Sequence, residues 1–306
     1  MSQWNRFRKT MECNRASRIR PVLVLGSGFL RQVGFRREAE WTHLLRIASK
    51  ALGVSFNAHA ASEVPTLYWD SLISQARLTP RWRNASNHQA ERAALAAVRD
   101  ILKRPIPHGP NRDLGQEILN SDVQAIASLN FVLTPFVDGV PRPIKSKNSV
   151  IGVNVNKKRI WLPHGHVGNL ASMRLGATSY RRVLECMESE RVLTAAHAHD
   201  RGPKHVSMLK DCLNAPLVFA GCGLQHAEWT MHWLLATKSR ANHRSTAIAK
   251  CWVISDEVVS TGRRELLRHL GCEVIVERCH RDYWKNLLVA LGEQTTTRNL
   301  DDRSAA

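Results

Sequence analysis

A short apolar segment, residues 21–25, leads directly into Gly26, Ser27 and Gly28. A buried strand that ends in a glycine turn and then enters a helix presents backbone N–H groups where a phosphate can bind. Gly26 can adopt a positive φ, and the missing side chain of Gly28 lets a ligand approach the backbone closely. Ordinary tight turns also carry two glycines after a strand, so the motif alone leaves both interpretations open.

Further apolar strands follow and alternate with segments of helical spacing, which constrains the fold class. The pattern predicts strands at residues 123–128, 159–163, 216–220, 251–254 and 272–276. It predicts helices at residues 38–52, 86–102, 177–198, 265–270 and 282–291. This alternation indicates an α/β fold, a Rossmann-like doubly wound parallel sheet covered by helices on both faces.

The same pattern suggests how the chain is organised. Residues 1–20 are expected to be a basic, disordered or fraying N-terminal arm, and residues 293–306 a frayed polar tail. One nucleotide-binding domain is expected over residues 21–292, and the helical, strand-poor stretch from about residue 55 to 120 is expected to be an insertion within it. With 43% hydrophobic residues, the chain can bury a substantial core.

Four of the predicted strands end in small or polar residues. In a parallel sheet these ends meet at the crevice where the strand order reverses, and ligands bind there. The four segments are Gly26-Ser27-Gly28, Ser128-Leu129-Asn130, His164-Gly165 and Gly221-Cys222-Gly223. Their convergence on one edge of the sheet predicts a single ligand site.

Taken in this order, the four segments resemble the sirtuin-like family. The resemblance is strongest to its bacterial antiphage-defence branch, which typically hydrolyses NAD and lacks the zinc module of the deacetylases. It covers about residues 20–292, with the helical insertion poorly matched. Further matching segments are Phe29, Trp41 to Leu45, Leu224 and the pair Glu228-Trp229.

The resemblance implies NAD as substrate and assigns roles to the strand-end residues. His164 would be the base, and Asn130 would hydrogen-bond the ribose or fix the attacking water. The turn at Gly26, Ser27 and Gly28 would cradle the pyrophosphate. The residues expected to bind the rest of the dinucleotide are Gly165, Gly221, Gly223 and Leu224.

Each of these side chains also has a structural interpretation. His164 can cap a strand end, Asn130 can sit in an ordinary turn, and His166 can be accessory. Glu228 could bond a ribose hydroxyl, but its helical position favours a surface acid. Trp229 and Trp233 are expected to be core aromatics, and Cys222 is expected to pack. The cluster His197, His199 and Asp200 hints at a metal, but a solvated helix end is favoured and no metal is predicted.

The sequence departs from the family at three places. Ser27 replaces a usual alanine, which should be tolerated. Leu129 precedes Asn130 where a polar residue is usual, and Val132 stands where an aspartate is usual, which bears on nicotinamide handling. The chain has no paired cysteines, which argues against a zinc-bearing protein deacetylase.

Charge and cysteine content bound the partners and the compartment. The net charge of +18 attracts polyanions, either an anionic cofactor or nucleic acid, although no nucleic-acid-binding motif stands out. Seven cysteines without a C-x-x-C pair favour a reducing, cytoplasmic location. No apolar segment approaches the roughly 20 residues that span a bilayer, so no membrane association is expected.

The expected function is therefore a cytoplasmic NAD glycohydrolase that gives ADP-ribose and nicotinamide in antiphage defence. Such an effector would harm its host if always active, so a sensor or activator protein, a small-molecule signal or an oligomer is expected to gate it. The alternatives are a non-catalytic NAD or ADP-ribose sensor, a nucleic-acid-associated module and a zinc-free deacylase.

Overall fold

The computed structural model describes residues 1–35, 40–103, 113–133, 135–136, 142–143, 150–196, 206–224, 228–242, 250–256 and 258–292. Within these residues the chain forms one α/β fold around an eight-stranded sheet. None of the described helices is both long enough and apolar enough to cross a membrane. The predicted polar tail, residues 293–306, lies outside the described residues.

The sheet has the strand order β3-β4-β5-β2-β1-β6-β7-β8. Six neighbouring strands, from β5 to β8, run parallel, and β3 and β4 are antiparallel additions at one edge. Read in chain order, the parallel strands follow the doubly wound arrangement 3-2-1-4-5-6, in which the order reverses beside the first strand. The strands are β1 Val22–Leu25, β2 Ala125–Ser128, β3 Arg142–Pro143, β4 Ile151–Val155, β5 Lys158–Leu162, β6 Leu217–Ala220, β7 Cys251–Ser255 and β8 Cys272–Val276.

Helices cover both faces of this sheet. On β1, Leu23 and Leu25 enter the core on one face, while Val22 and Val24 enter the core on the other. The predicted Rossmann-like fold class is thus confirmed. The helices are α1 Gln3–Ala16, α2 Ser27–Gln32, α3 Trp41–Leu52, α4 Ala58–Glu63, α5 Pro65–Ala76, α6 Asn87–Leu102, α7 Leu114–Asn120, α8 Ala177–Ala196, α9 Met208–Asn214, α10 Trp229–Asn242, α11 Thr261–His269 and α12 His280–Ala290.

The stretch between β1 and β2 is helical where it is described. Helix α3 ends at Gly53, which adopts φ +71°, as the sequence predicts for a glycine stop. Helix α6 begins with a capping box in which Ser86 and Gln89 each bond the other's backbone N–H. Helices α3, α5 and α6 pack against one another and form a layer over one face of the sheet.

The first residues form a docked helix, so the expected disordered or fraying arm is wrong. Ser2 caps α1, and Phe7 and Met11, one turn apart, are buried. The Phe7 ring lies 5.1 Å from that of Trp252 on β7. Arg15 donates to the carbonyl of Ala290 on α12 at 3.2 Å. Two apolar residues at helical spacing therefore hold this basic segment on the domain.

The hairpin of β4 and β5 gives the sheet an antiparallel edge that the sequence pattern does not predict. Asn156 and Lys157 join the two strands with φ values of +47° and +67°. Positive φ at both central residues is typical of the tight turns that join antiparallel strands. The predicted parallel sheet is correct for the six strands beyond this edge.

A buried ion pair joins α9 to the sheet at the amino ends of the parallel strands. The Asp211 carboxylate accepts two hydrogen bonds from Arg159 at 2.7 and 2.8 Å, and one from the Trp161 indole at 2.9 Å. Gln124 donates a further bond at 3.1 Å. The four hydrogen bonds satisfy both carboxylate oxygens and tie α9 to β5 and to the residue before β2.

Candidate functional site

A cavity of about 350 Å³ opens at the carboxyl ends of β1, β2 and β6, where the strand order reverses. This is the place where doubly wound sheets bind ligands, and the volume lies in the range of small-molecule sites. Residues of α3, α4 and α5 form one wall, and the segment after β7 forms part of the rim. Among the predicted site residues, those that line the cavity are Gly26, Ser27, Asn130, His164, Gly221, Gly223 and Leu224.

The first glycine turn packs against the late one. Gly26 has φ −99° and ψ −169°, so the predicted positive φ is wrong. A Cβ at Gly26 would lie 2.3 Å from the Gly221 carbonyl oxygen, and one at Gly28 would lie 2.8 Å from the Gly221 Cα. The Gly28 N–H donates to the same carbonyl at 2.9 Å. Contact between the two turns, rather than close approach of a ligand, therefore explains why these positions are glycine.

The start of α2 offers fewer free donors than the motif suggests. The Gly28 N–H bonds Gly221, and the Phe29 N–H bonds the Gly26 carbonyl at 3.1 Å. Ser27 is exposed and lines the cavity, so its hydroxyl is accessible to a ligand. The pyrophosphate role of this turn remains a prediction.

The late turn is held by the last helix. Gly221 adopts φ +61°, and its N–H donates to the Tyr283 hydroxyl on α12 at 2.7 Å. That hydroxyl in turn donates to the Ile254 carbonyl of β7 at 2.8 Å. Leu224, which is buried, also has a positive φ, +42°. Backbone conformations of this kind persist only where the surroundings impose them, and they cluster at functional sites.

Gly165 supports the site from behind and does not line the cavity. Its φ is +90°, and a Cβ there would lie 2.0 Å from the Ser172 carbonyl oxygen. The neighbouring His166 accepts from the Gly168 N–H at 3.1 Å, so its ring helps to order the same loop. Glycine at position 165 thus lets the loop after β5 fold back beside His164.

Asn130 ties the ends of two strands together. Its buried side-chain amide donates to the Gly26 carbonyl at 3.0 Å and lies 3.5 Å from the Leu25 carbonyl and the Ser128 hydroxyl. Its Nδ2 is therefore committed to the first glycine turn, whereas Oδ1 makes no hydrogen bond within the described part of the chain. One face of this amide is structural, and the other remains available to a ligand.

His164 is the buried titratable group at the centre of the site. The residue is 2% exposed, and burial lowers its pKa from 6.5 to about 4, so the imidazole is neutral at neutral pH. Nδ1 lies 3.1 Å from the Leu129 carbonyl oxygen and 3.1 Å from the Tyr180 hydroxyl. Nε2 is buried and has no hydrogen-bond partner in the part of the chain that the structure describes.

These contacts favour one tautomer of His164. A carbonyl oxygen can only accept, so the bond to Leu129 is made when Nδ1 carries the proton. Nε2 then has a free lone pair, and this unprotonated nitrogen belongs to a residue that lines the cavity. A neutral imidazole in this state can accept a proton from a bound hydroxyl or water.

Glu228 is a second titratable group of the cavity, and the expectation of a surface acid is wrong. It lines the cavity, and its Oε2 is buried without a hydrogen-bond partner among the described residues. Burial raises the pKa of this carboxyl from 4.5 to about 7. Burial also raises the pKa of Tyr180 on α8, and the charge of Glu228 raises it further. Glu228 stands just before α10, and α10 contacts α8, which is distant in the chain.

The rim carries charges of both signs. Arg31 of α2 and Asp256 after β7 form an ion pair at 3.8 Å, and Arg263 of α11 also lines the cavity. The residues that line the cavity thus include two arginines and three acids, which are Glu40, Glu228 and Asp256.

The remaining sequence predictions fare differently. Cys222 is buried, and its thiol donates to the Val24 carbonyl at 3.3 Å, which confirms a packing role. Trp233 packs against the core, whereas Trp229 is 37% exposed. Val132 is buried and does not line the cavity.

Within the described residues no cluster of His, Cys, Asp and Glu could hold a metal, and His197, His199 and Asp200 lie outside them.

Comparison with protein-family models finds no match, and comparison with curated proteins finds no significant match. The functional assignment therefore depends on the geometry of the cavity and on the strand-end residues that line it.

Proposed function

We propose that this protein hydrolyses the N-glycosidic bond of NAD, giving ADP-ribose and nicotinamide. The observation that carries the proposal is the Nε2 of His164, which is buried beside the cavity at the reversal of strand order and has no hydrogen-bond partner among the described residues. A dinucleotide is the ligand that this position of a doubly wound sheet commonly binds. The ordered resemblance of the strand-end residues to NAD-cleaving sirtuin-like proteins supports the same ligand.

The reaction needs an ordered site more than a strong acid. The bond from the ribose C1′ to the pyridinium nitrogen breaks, and its electron pair neutralises that nitrogen as nicotinamide leaves. The oxygen of a water molecule bonds to the oxocarbenium-like C1′, and the water loses one proton. His164 Nε2 would accept this proton, directly or through a ribose hydroxyl, while its Nδ1–H remains bonded to the Leu129 carbonyl.

The other cavity residues support binding in this scheme. Asn130 would present its Oδ1 to the ribose or the water while its Nδ2 holds the first glycine turn. Ser27 and Arg31 would meet the pyrophosphate, and the net charge of +18 raises the encounter rate with an anionic ligand. The resemblance to defence proteins further supports an effector that is gated by a partner, a small-molecule signal or an oligomer.

The direct test follows NAD by chromatography in the presence of the purified protein, with and without the products of neighbouring genes. We expect NAD to fall and equal amounts of ADP-ribose and nicotinamide to accumulate. His164→Ala and Asn130→Ala should each reduce the rate by 100-fold or more, in the range typical of general-base and positioning groups. His269→Ala, an exposed histidine on α11, is the matched control. Cleavage that is unchanged in both site variants would refute the proposal.

A binding-only function is the second candidate. Two observations favour it: the Nδ2 of Asn130 is occupied by Gly26, and Val132 is buried where the family usually has an acid. A module of this kind would bind ADP-ribose tightly in calorimetry and leave NAD intact under every activating condition.

A further inference from the structure

We infer that Glu228 contacts the ligand and, together with His164, hydrogen-bonds the cis-diol of the ribose next to the cleaved bond. This inference rests on the proposed function and deepens it, because it names a group of the substrate and the side chain that recognises it. From the sequence, a bond between Glu228 and a ribose hydroxyl is the less favoured interpretation, and a surface acid is the favoured one.

Two unsatisfied polar atoms within one cavity carry the inference. His164 Nε2 and Glu228 Oε2 are both buried, and both residues line the same cavity. Neither atom has a hydrogen-bond partner within the residue ranges that the structure describes. Buried polar atoms in folded proteins are almost always bonded, and the exceptions call for an explanation such as a bound ligand. A ligand that hydrogen-bonds both atoms would remove the free-energy cost of burying each of them without a partner.

The chemistry of the two atoms narrows the class of ligand group. The bare Nε2 of His164 can only accept a hydrogen bond, so the ligand must present a donor there. Glu228 accepts when it is ionised, and donates and accepts when it is protonated. A ribose diol can bond His164 Nε2 and either protonation state of Glu228, because each of its two neighbouring hydroxyls can donate and accept.

Tyr180 supports His164 from the side of Nδ1. It is buried, its hydroxyl lies 3.1 Å from His164 Nδ1, and its ring packs edge-on at 4.5 Å from the imidazole. This contact fixes the imidazole, so its Nε2 keeps one orientation within the residues that line the cavity.

The test compares two probes that differ in the distal ribose. ADP-ribose carries it and ADP does not, so their dissociation constants separate this ribose from the adenosine and pyrophosphate contacts. By calorimetry, Glu228→Ala should weaken ADP-ribose binding roughly tenfold and leave ADP binding unchanged, since one hydrogen bond to an ionisable group is lost. Glu228→Gln keeps a donor and an acceptor and should recover part of that loss.

Glu265→Ala, an exposed acid of α11, is the matched control and should change neither constant. Circular dichroism and thermal unfolding of each variant check that it folds. Unchanged ADP-ribose affinity in Glu228→Ala overturns the inference, and so does equal weakening of both probes, which would place the effect outside the distal ribose. Absence of NAD cleavage by a wild type that binds ADP-ribose refutes the proposed hydrolysis alone. A wild type that binds neither probe refutes both.

Discussion

Replacing Glu228 by glutamine should stabilise the protein at alkaline pH while keeping a donor and an acceptor for the ligand. Burial raises the pKa of this carboxyl from 4.5 to about 7, so the folded state resists its ionisation. Below pH 4.5 the group is neutral in both the folded and the unfolded chain, and it imposes no penalty. As the pH rises towards 7, the unfolded chain ionises freely and the folded protein loses stability relative to it.

The size of the effect follows from the two pKa values. Their difference corresponds to about 3 kcal/mol of unfolding free energy once the pH exceeds 7, and to less than about 1 kcal/mol at pH 5. Because glutamine has nearly the same shape and never ionises, Glu228→Gln should recover most of this energy. Water that reaches the cavity reduces the gain, so about 3 kcal/mol is an upper bound.

The assay is urea unfolding of wild type and variant at pH 5 and pH 8. We expect the variant to be more stable by up to about 3 kcal/mol at pH 8 and nearly equal to wild type at pH 5. His164, which titrates near pH 4, is present in both proteins and cancels in the difference. Glu265→Gln, an exposed acid, should show no such pH dependence. The same stability difference at both pH values would refute the assigned burial of the carboxyl.

Three further substitutions test the scaffold around the cavity. Gly221→Ala should lower the unfolding free energy by at least about 2 kcal/mol, since φ is +61° and the new Cβ would lie 2.7 Å from a backbone nitrogen. Asp211→Asn should cost about 3 kcal/mol in urea unfolding, because it leaves a half-buried guanidinium without its charged partner. Tyr180→Phe should slow NAD cleavage roughly tenfold at pH 7. Once His164 has accepted the proton from water, its Nδ1–H would lack the Tyr180 hydroxyl as a hydrogen-bond acceptor, and the protonated imidazole would be less stable.

Each of these predictions has its own control. Gly53→Ala also has a positive φ but open space around the new Cβ, so it should cost only about 1 kcal/mol. An equal loss for the two glycine variants would contradict the contact between turns. Asp211→Asn with wild-type stability would show that the ion pair contributes nothing. For Tyr180→Phe, wild-type kcat and pH profile would exclude a positioning role for the hydroxyl.

The strands and their shared edge could be predicted because both depend on local pattern. Continuous apolar segments such as Leu217–Ala220 indicate strands buried on both faces. The carboxyl ends of parallel strands meet at one edge, and that rule brings Gly26, Asn130, His164 and Gly221 to the cavity. Neither step requires knowledge of distant side-chain contacts.

The predictions that fail depend on contacts between distant segments. Glu228 looks like a surface acid from its local sequence, because segments distant in the chain build the cavity that it lines. The glycine at position 28 looks like an opening for a ligand until Gly221 is placed against it. Phe7 and Met11 belong to a small apolar face in a basic segment, so their docking could not be read from local composition. In each case tertiary packing decides the role.

The contact between the two glycine turns also determines when the site can form during synthesis. The Cys222 thiol bonds the Val24 carbonyl 198 residues earlier, and Gly221 is held in turn by Tyr283, 62 residues later. At ribosomal rates of about 5–20 residues per second, the first strand is made tens of seconds before its last partner. A nascent chain therefore lacks an assembled cavity until α12 has left the ribosome. A chain that still lacks α12 also lacks the Tyr283 hydroxyl that holds Gly221, so we expect it to be inactive in whatever chemistry the cavity performs.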